Sequence, residues 1–242
     1  MTTAFTAATS SSCSRCTLRD VCMPADLNAE HPMLLDQLAI RRIRVKRGDV
    51  LFRDGDAFKA LFTVRSGFVK THMATADGHE QVTGFQMAGE ILGLSGIVTE
   101  RHVGDAVALE DSEVCAIPYD RLAALSREFP TMQRHLHKAM SREIVRDHHM
   151  MLLLGSMCAQ ERLAAFLVNL VKRLHARGFS GTELVLRMTR ADIGSYLGLK
   201  LETVSRLFSR LTQQGILSVR QRHVRIADIG RLLDGDAPRA AH

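Results

Sequence analysis

Three cysteines near the N-terminus are the residues whose type and spacing most clearly point to chemistry. They form the array Cys13-x2-Cys16-x5-Cys22, and thiolates this close repel one another unless a cation or a cluster neutralises them. Three thiolates can fill three positions on an iron–sulfur cluster or three on zinc. The fourth ligand must come from elsewhere, and Cys115 and Cys158 are the cysteines that remain. Spacing alone therefore leaves both the metal and the fourth ligand open.

A helix-turn-helix is predicted between Thr189 and Leu211. Thr189 and Asp192 have the spacing of a capping box, and Gly198 can supply the tight turn after the first helix. A second helix beginning near Leu201 would turn its apolar residues inward. Its outward residues would then be Glu202, Thr203, Ser205, Arg206 and Ser209.

These outward side chains are of the types that read DNA bases. Arginine can donate two hydrogen bonds to guanine, and glutamate can accept one from cytosine. We also expect Arg190, at the start of the first helix, to contact DNA. The segments 215–219 and 224–226 bracket Arg220-Gln221-Arg222-His223 and predict a two-stranded wing with a basic tip. The alternative is an ordinary helical hairpin with a solvated polar face.

The distribution of charge favours the DNA-binding interpretation. The chain carries a formal net charge of +6; residues 157–242 hold 14 Lys and Arg against 7 Asp and Glu, a net of +7, and residues 1–156 hold 18 against 19, a net of −1. A basic module beside a nearly neutral one is typical of a domain that binds a polyanion, with a second domain serving another role. Double-stranded DNA is therefore the expected partner.

Composition limits the class of protein. At 242 residues, 46% of them hydrophobic, the chain can form two domains, and it has no apolar run long enough for a membrane-spanning helix. The segment 1–12 lacks the basic flank and apolar run of a secretory signal, so we expect a cytoplasmic protein. In a reducing compartment, five cysteines, an odd number, favour metal binding or redox chemistry over a disulfide framework. We expect no enzyme, because no nucleophile–base pair and no phosphate loop is recognisable.

The predicted secondary structure changes along the chain. Glycines at turn-like spacing separate short apolar runs over residues 40–120, which predicts an antiparallel sandwich or barrel. A short helical stretch is expected around 32–38, and longer helices over about 129–157 and 159–176. The first long helix carries an apolar stripe, suited to pairing with another helix, interrupted by one acidic residue. The stripe comprises Leu136, Met140, Ile144, Met151 and Leu154, and the interruption is Asp147.

Several motifs together make the chain resemble the CRP/FNR family, in its oxygen-sensing, FNR (Anr-like) branch. The resemblance runs from Cys13 to about Ile226. It is carried by the cysteine array with Cys115 in Val-Cys-Ala-Ile-Pro, by Gln81-Val-Thr-Gly-Phe85, by Glu161-Arg-Leu-Ala-Ala-Phe166, by the segment Met188–Leu199, and by Glu202-Thr-Val-Ser-Arg206.

The resemblance implies an α+β fold. An N-terminal antiparallel β-roll of the cyclic-nucleotide-binding type would be followed by a long dimerisation helix and a C-terminal winged helix-turn-helix. We expect a cysteine-bearing segment over 1–39 and the sensory β-roll over 40–127. The dimerisation helix is expected over 128–157, the DNA-binding domain over 158–234 and a tail over 235–242.

The resemblance also implies a cofactor and a mode of regulation. Cys13, Cys16, Cys22 and Cys115 would ligate an oxygen-labile [4Fe–4S] cluster, and the alternative is a structural zinc or a redox-insensitive site. Homodimers would bind a TTGAT-type palindrome with the cluster intact, and cluster loss in air would inactivate the protein. Glu202, Ser205 and Arg206 match the family's readers of the half-site. RNA polymerase would be the protein partner, through a loop around 77–80.

The dimerisation switch is expected at Asp147, within the stripe of Met140, Ile144 and Met151. In a symmetric parallel pair the two copies of Asp147 face each other, so like charges keep the dimer weak and easily switched. The alternative is an exposed aspartate of no consequence. A cyclic nucleotide as the sensed ligand has less support. Gly89-Glu90 resembles the start of the family's binding cassette, but residues 101–105 lack the Arg-Ser that would hold the phosphate. Haem has little support either.

Overall fold

The β-rich part of the chain forms two antiparallel sheets. The computed structural model describes residues 7–10, 38, 40–75 and 77–234. The strands of this part are β1 (Ala7–Ser10), β2 (Arg41–Val45), β3 (Val50–Phe52), β4 (Ala60–Ser66), β5 (Phe68–Ala74), β6 (Glu80–Met87), β7 (Ile91–Leu92), β8 (Asp105–Ala108) and β9 (Ser112–Pro118). One sheet has the order β1-β2-β9-β4-β7 and the other the order β3-β8-β5-β6.

Tight turns carry the chain between the two sheets. Gly67 alone separates β4 from β5 and has a φ of +89°, a conformation that a side chain disfavours. The apolar sides of both sheets meet in one core, in which Val64, Ala106 and Val114 have no exposed surface. The predicted antiparallel sandwich is confirmed.

The outer side of the five-stranded sheet is covered by helix. After the short α1 (Gly96–Thr99), α2 (Tyr119–Glu128) follows β9 directly. Leu122 and Leu125 of α2 pack with Leu61 and Ile117 of the sheet. Strand residues alternate between faces, so Cys115 lies on the same face as Ile117, under α2 rather than between the sheets.

Helix α3 (Pro130–Ser156) is the long helix that the sequence predicts. At 1.5 Å per residue its 27 residues extend about 40 Å. The chain divides into two compact units, residues 1–145 and 146–242, and the division falls inside this helix. No helix in the described ranges is both long and apolar enough to cross a membrane.

The second unit is built around α4 (Ala159–His175), whose buried face includes Leu163, Leu167 and Leu170. A three-stranded sheet of order β10-β12-β11 accompanies two further helices and a short α7. These elements are β10 (Glu183–Val185), α5 (Arg190–Leu197), α6 (Leu201–Gln213), β11 (Leu217–Arg220), β12 (His223–Ile226) and α7 (Ile229–Asp234).

The winged helix-turn-helix, and with it the expected α+β fold, is confirmed. Strand β10 was not predicted: Leu184 pairs with Val224 and widens the wing sheet to three strands. The stretch expected around 32–38 lies outside the described residues except for Leu38. The domain bounds expected from the resemblance remain predictions.

Candidate DNA-reading surface and cysteine site

The start of α5 is fixed by the capping box that the sequence predicts. The amide of Asp192 donates to Thr189 Oγ1 at 3.0 Å, and the amide of Thr189 donates to Asp192 Oδ2 at 2.9 Å. The Thr189 hydroxyl also donates to Asp192 Oδ2 at 2.6 Å. Asp192 is only 9% exposed, so these bonds to a buried carboxylate are stronger than bonds made in water.

The turn and the packing of α6 follow the predicted pattern. Gly198 ends α5 with a φ of +63°, the left-handed conformation that favours glycine. The amide of Leu199 then donates to the carbonyl of Gly194 at 2.9 Å and closes the turn. Val204 and Leu211 of α6 are 0% exposed, so one face of α6 is anchored in the second unit.

The opposite face of α6 carries most of the predicted DNA-reading residues. Glu202, Ser205 and Arg206 are exposed, and Thr203 is half-buried. Ser209 is exposed as well, but its hydroxyl donates to the carbonyl of Ser205 at 3.2 Å. Because Glu202, Ser205 and Arg206 lie within five residues on one exposed face, they can enter a major groove together.

Arg190 takes a different position from the other predicted DNA-binding residues. Its guanidinium carbon lies 3.1 Å from the centre of the Phe208 ring, as in a cation–π contact. Burial lowers the pKa of Arg190 to about 10, which leaves the side chain charged at neutral pH. Its Nη1 is buried and has no hydrogen-bond partner in the described part of the chain. Together with Ser205 and Val219, Arg190 lines a groove beside α6.

The wing presents a basic tip. Strands β11 and β12 pair from Leu217–Ile226 to Arg220–His223, so Gln221 and Arg222 form the connecting turn. Residues 220–223 are all exposed. Gln221 has a φ of +56°, which is uncommon for a residue with a side chain. The tip can therefore approach a phosphate backbone without losing packing.

Cys115 lies in a cationic part of the five-stranded sheet. In the strand register, Arg42 of β2 and Thr63 of β4 flank it on either side. One row further along the same face, Arg65 Nη1 donates to Glu113 Oε2 at 2.6 Å, and Arg42 Nε lies 4.0 Å from the other carboxylate oxygen. Cys115 itself is half-buried. Sequence reasoning missed Arg42 as a neighbour of Cys115, because only the strand register brings the two residues together.

The other cysteines fall into two groups. Cys13, Cys16 and Cys22 lie outside the described residues. Cys158 is exposed and occupies the N-cap of α4, far along the chain from Cys115. Within the described ranges, no three His, Cys, Asp or Glu side chains are grouped so as to hold a metal ion.

Helix α3 exposes apolar side chains around Asp147. Ile144 is 54% exposed and Met151 is 70% exposed, and Asp147 between them is exposed as well. Val145 and Leu152 add a second exposed apolar pair seven residues apart. Met140, earlier in the predicted stripe, is half-buried. Such a patch on a regular helix is typical of an interface.

Residues 101–105, where a cyclic-nucleotide-binding cassette would hold the phosphate, make other contacts. His102 is 4% exposed and stacks on Phe52 with ring centres 3.9 Å apart, and burial lowers the pKa of His102. Arg101 donates from Nη1 to the carbonyl of Gly55 at 2.7 Å. Glu90 is buried and accepts a hydrogen bond from the amide of Met87. A histidine that is packed on phenylalanine, and whose charged form is disfavoured by burial, is unsuited to binding a phosphate.

The loop between β5 and β6 holds the residues expected to touch RNA polymerase. Residues 77–80 are exposed. The amide of Thr75 donates to the carbonyl of His79 at 2.9 Å, which closes the hairpin. The hydroxyl of Thr75 donates to the Asp77 carboxylate and lowers the pKa of Asp77. The loop thus presents an ionised carboxylate to solvent.

Two domain families match the chain. The cyclic nucleotide-binding domain matches residues 42–129, and the Crp-like helix-turn-helix domain matches residues 161–234. These two stretches coincide with the two-sheet part of the first unit and with most of the second.

Whole-length relatives extend the match. The chain is 47% identical over 217 residues to the transcriptional regulatory protein btr of Bordetella pertussis, covering 90% of each chain. It is also 47% identical over 216 residues to the transcriptional activator protein anr of Pseudomonas aeruginosa, covering 89% of this chain and 88% of the relative. The solved structure of FixK2 from Bradyrhizobium japonicum superposes with a TM-score of 0.75 at 30% identity, over 84% of this chain and 99% of that one.

Proposed function

The chain belongs to the CRP/FNR family of DNA-binding transcription regulators, in its FNR branch, and we propose that it regulates transcription in response to oxygen. In this proposal it is a cytoplasmic homodimer that binds a TTGAT-type palindrome while an oxygen-labile [4Fe–4S] cluster is held. Air removes the cluster and with it the DNA-binding dimer. The observation that carries the proposal is Cys115, which is half-buried, has Arg42 as its neighbour in the strand register, and lies on a sheet that includes the N-terminal strand β1.

Three side chains of α6 are the proposed base readers. Arg206 would donate to guanine, Glu202 would accept from cytosine, and Ser205 would bond to a base or a phosphate. Their joint exposure on one face, opposite the buried Val204 and Leu211, supports these roles. Thr203 and Arg190 would contact the phosphate backbone, Arg190 from its position on Phe208.

The described residues fit the proposed cluster site. Ser10 of β1 pairs with Arg41, and Arg41 pairs with Ala116 of β9. Two strand spacings place β1 about 10 Å from β9, and the three residues from Ser10 to Cys13 can span about 10 Å. A connection of this length supports including Cys13 in the proposed site.

The charge around Cys115 supports the same assignment. Thiolates and a cluster carry negative charge, and Arg42 and Arg65 outnumber Glu113 on this face. Cys13, Cys16, Cys22 and Cys115 would hold the cluster, which when bound supplies sensitivity to oxygen. Cys158, exposed at the start of α4, has no part in the proposed site.

Dimerisation through α3 is the proposed link between the cysteine site and DNA. Ile144 and Met151 are large apolar side chains with more than half of their surface exposed, so a second copy of the helix can bury them. Asp147 lies on the same stripe and opposes pairing by charge repulsion. The dimer is thereby marginal, and a modest change at the cysteine site is enough to switch it. Promoter-bound dimers would contact RNA polymerase through residues 77–80.

Purification without oxygen tests the proposed cofactor. We expect a brown protein with broad absorbance in the blue part of the visible spectrum, bleaching in air and containing iron and sulfide. The variant C115S should lose this absorbance, and the matched variant C158S should keep it, since Cys158 lies outside the site. A colourless protein that binds zinc, or a C115S variant that remains brown, would refute the proposal.

A further inference from the structure

Arg162 binds three backbone carbonyls that belong to two different helix ends. Its Nη2 donates to the carbonyl of Leu154 at 2.8 Å, and its Nε donates to the carbonyl of Met157 at 2.9 Å. Its Nη1 donates to the carbonyl of Leu197 at 3.1 Å. Leu154 lies in the last turn of α3, Met157 follows that helix, and Leu197 is the last residue of α5. One side chain therefore joins the end of α3 to the first helix of the helix-turn-helix.

The physical chemistry of helix ends explains why arginine suits this position. The last carbonyls of a helix have no partner within the helix and carry partial negative charge. A guanidinium offers five N–H donors in a rigid planar fork, so it can serve carbonyls in different directions at once. Arg162 is half-buried, which reduces competition from water. A lysine has a single ammonium and cannot reach all three carbonyls in the same way.

The turn of the helix-turn-helix packs directly on this contact. A Cβ atom placed on Gly198 would lie 3.5 Å from Arg162 Nη1 and 3.5 Å from the side chain of Leu154. The amide of Leu199 holds the turn to α5 through Gly194. Any tilt of α5 against the end of α3 would therefore have to break hydrogen bonds of Arg162.

We propose that Arg162 is a positioning residue that fixes the direction in which α6 is presented at the end of α3. It would touch no DNA. By holding α5 on the helix that pairs the two copies, it would set the distance between half-sites that a dimer accepts. This consequence rests on the proposed palindrome-binding dimer, whereas the contact itself lies within one unit of one chain.

The test compares R162Q and R162K with the matched control K172Q, prepared without oxygen. Lys172 is an exposed cation on the same helix, so its replacement removes the same charge without touching the carbonyls. Each protein is titrated onto a single half-site, onto the palindrome spacing that the unsubstituted protein prefers, and onto palindromes lengthened or shortened by one base pair.

We expect R162Q to bind the single half-site within about twofold of the unsubstituted protein, because the α6 readers are intact. On the preferred palindrome it should bind about tenfold more weakly, equivalent to about one charge-assisted hydrogen bond, and the penalty for one base pair of altered spacing should shrink. R162K should be intermediate, and K172Q should match the unsubstituted protein. An unaltered spacing profile in R162Q, or equal losses on half-site and palindrome, would overturn the proposal.

Amide hydrogen exchange provides a second readout that needs neither dimer nor cluster. In the air-exposed protein without DNA, R162Q should raise the exchange of the amides of Met157 and Leu199 together, and K172Q should raise neither. Unchanged exchange at either position in R162Q refutes the coupling. If the unsubstituted protein shows no spacing preference, the palindrome proposal fails, and the exchange result alone decides whether Arg162 couples the two helix ends.

Discussion

Replacing Asp147 with asparagine should strengthen dimerisation of the air-exposed protein. Asp147 is exposed on α3 between Ile144 and Met151, which are 54% and 70% exposed. If the apolar stripe pairs with a second copy, the two carboxylates approach each other across the seam. Asparagine keeps the volume and polarity of the side chain and removes the charge, so the change isolates the repulsion.

The expected magnitude follows from helix packing and Coulomb's law. Paired helices lie about 8–10 Å apart, and two unit charges about 8 Å apart repel by about 2 kcal/mol at a dielectric constant of 20 and about 0.5 kcal/mol in water. Asp147 is exposed, so an intermediate value of about 1 kcal/mol applies, or about fivefold in the dimer Kd. The variant I144A should act oppositely: burying about half an isoleucine on each chain contributes about 2 kcal/mol per dimer, or about 30-fold in Kd.

Sedimentation equilibrium of D147N, D147A, D147E and I144A in air measures these effects. D147N and D147A should associate more tightly than the unsubstituted protein, and D147E, which keeps the charge, should not. Added salt should narrow the difference by screening the repulsion. Equal Kd values for D147N and D147E, or a D147A variant as monomeric as the unsubstituted protein, would show that the charge of Asp147 does not weaken the dimer.

Three further predictions concern the folded units and DNA reading. T189A removes both hydrogen bonds between the Thr189 hydroxyl and Asp192. It should lower the free energy of unfolding of the second unit by about 1–2 kcal/mol in chemical denaturation, and T189S should recover most of this loss. A T189A variant as stable as the unsubstituted protein would show that the cap does not stabilise α5. Burial lowers the pKa of His102, so the unfolded chain binds a proton more readily. The stability of the first unit should therefore fall as the pH drops below about 6.5, and the melting temperature of H102F should depend less on pH. An identical pH dependence in H102F would show that His102 does not cause the loss. R206K loses the bidentate hydrogen bonding to guanine that an arginine can make. In competition binding it should lose about 1–3 kcal/mol of discrimination between bases. Unchanged discrimination would show that Arg206 does not read a base.

Local chemistry made much of the fold predictable from the sequence. The capping box of Thr189 and Asp192 involves residues three apart, and Gly198 marks the turn by its own backbone preference. The long α3 follows from the stretch 131–154, which contains no glycine or proline, and the strands follow from glycine spacing and alternation. In each case the sequence signal lies within one element or one turn.

Contacts between distant segments were beyond sequence reasoning. Pairing of β10 with β12 joins residues about forty positions apart, and nothing in Glu183–Val185 alone marks a strand that short. The position of Arg190 on Phe208 depends on how α5 and α6 pack. Arg162 lies in a motif that the family resemblance recognises, yet its three carbonyl partners appear only when two helix ends meet. The ligand role of the cysteines remains a prediction, because three of them lie outside the described residues.

Control of DNA binding by oxygen is tested most directly by measuring binding with and without oxygen on one protein preparation. Protein purified anaerobically is titrated onto a labelled TTGAT-type palindrome, with scrambled half-sites as the control, and the titration is repeated after exposure to air. We expect tight, sequence-specific binding before exposure and a loss of at least about tenfold afterwards, because the dimer dissociates. Specific binding of equal strength in both conditions would leave a DNA-binding protein and contradict the oxygen switch.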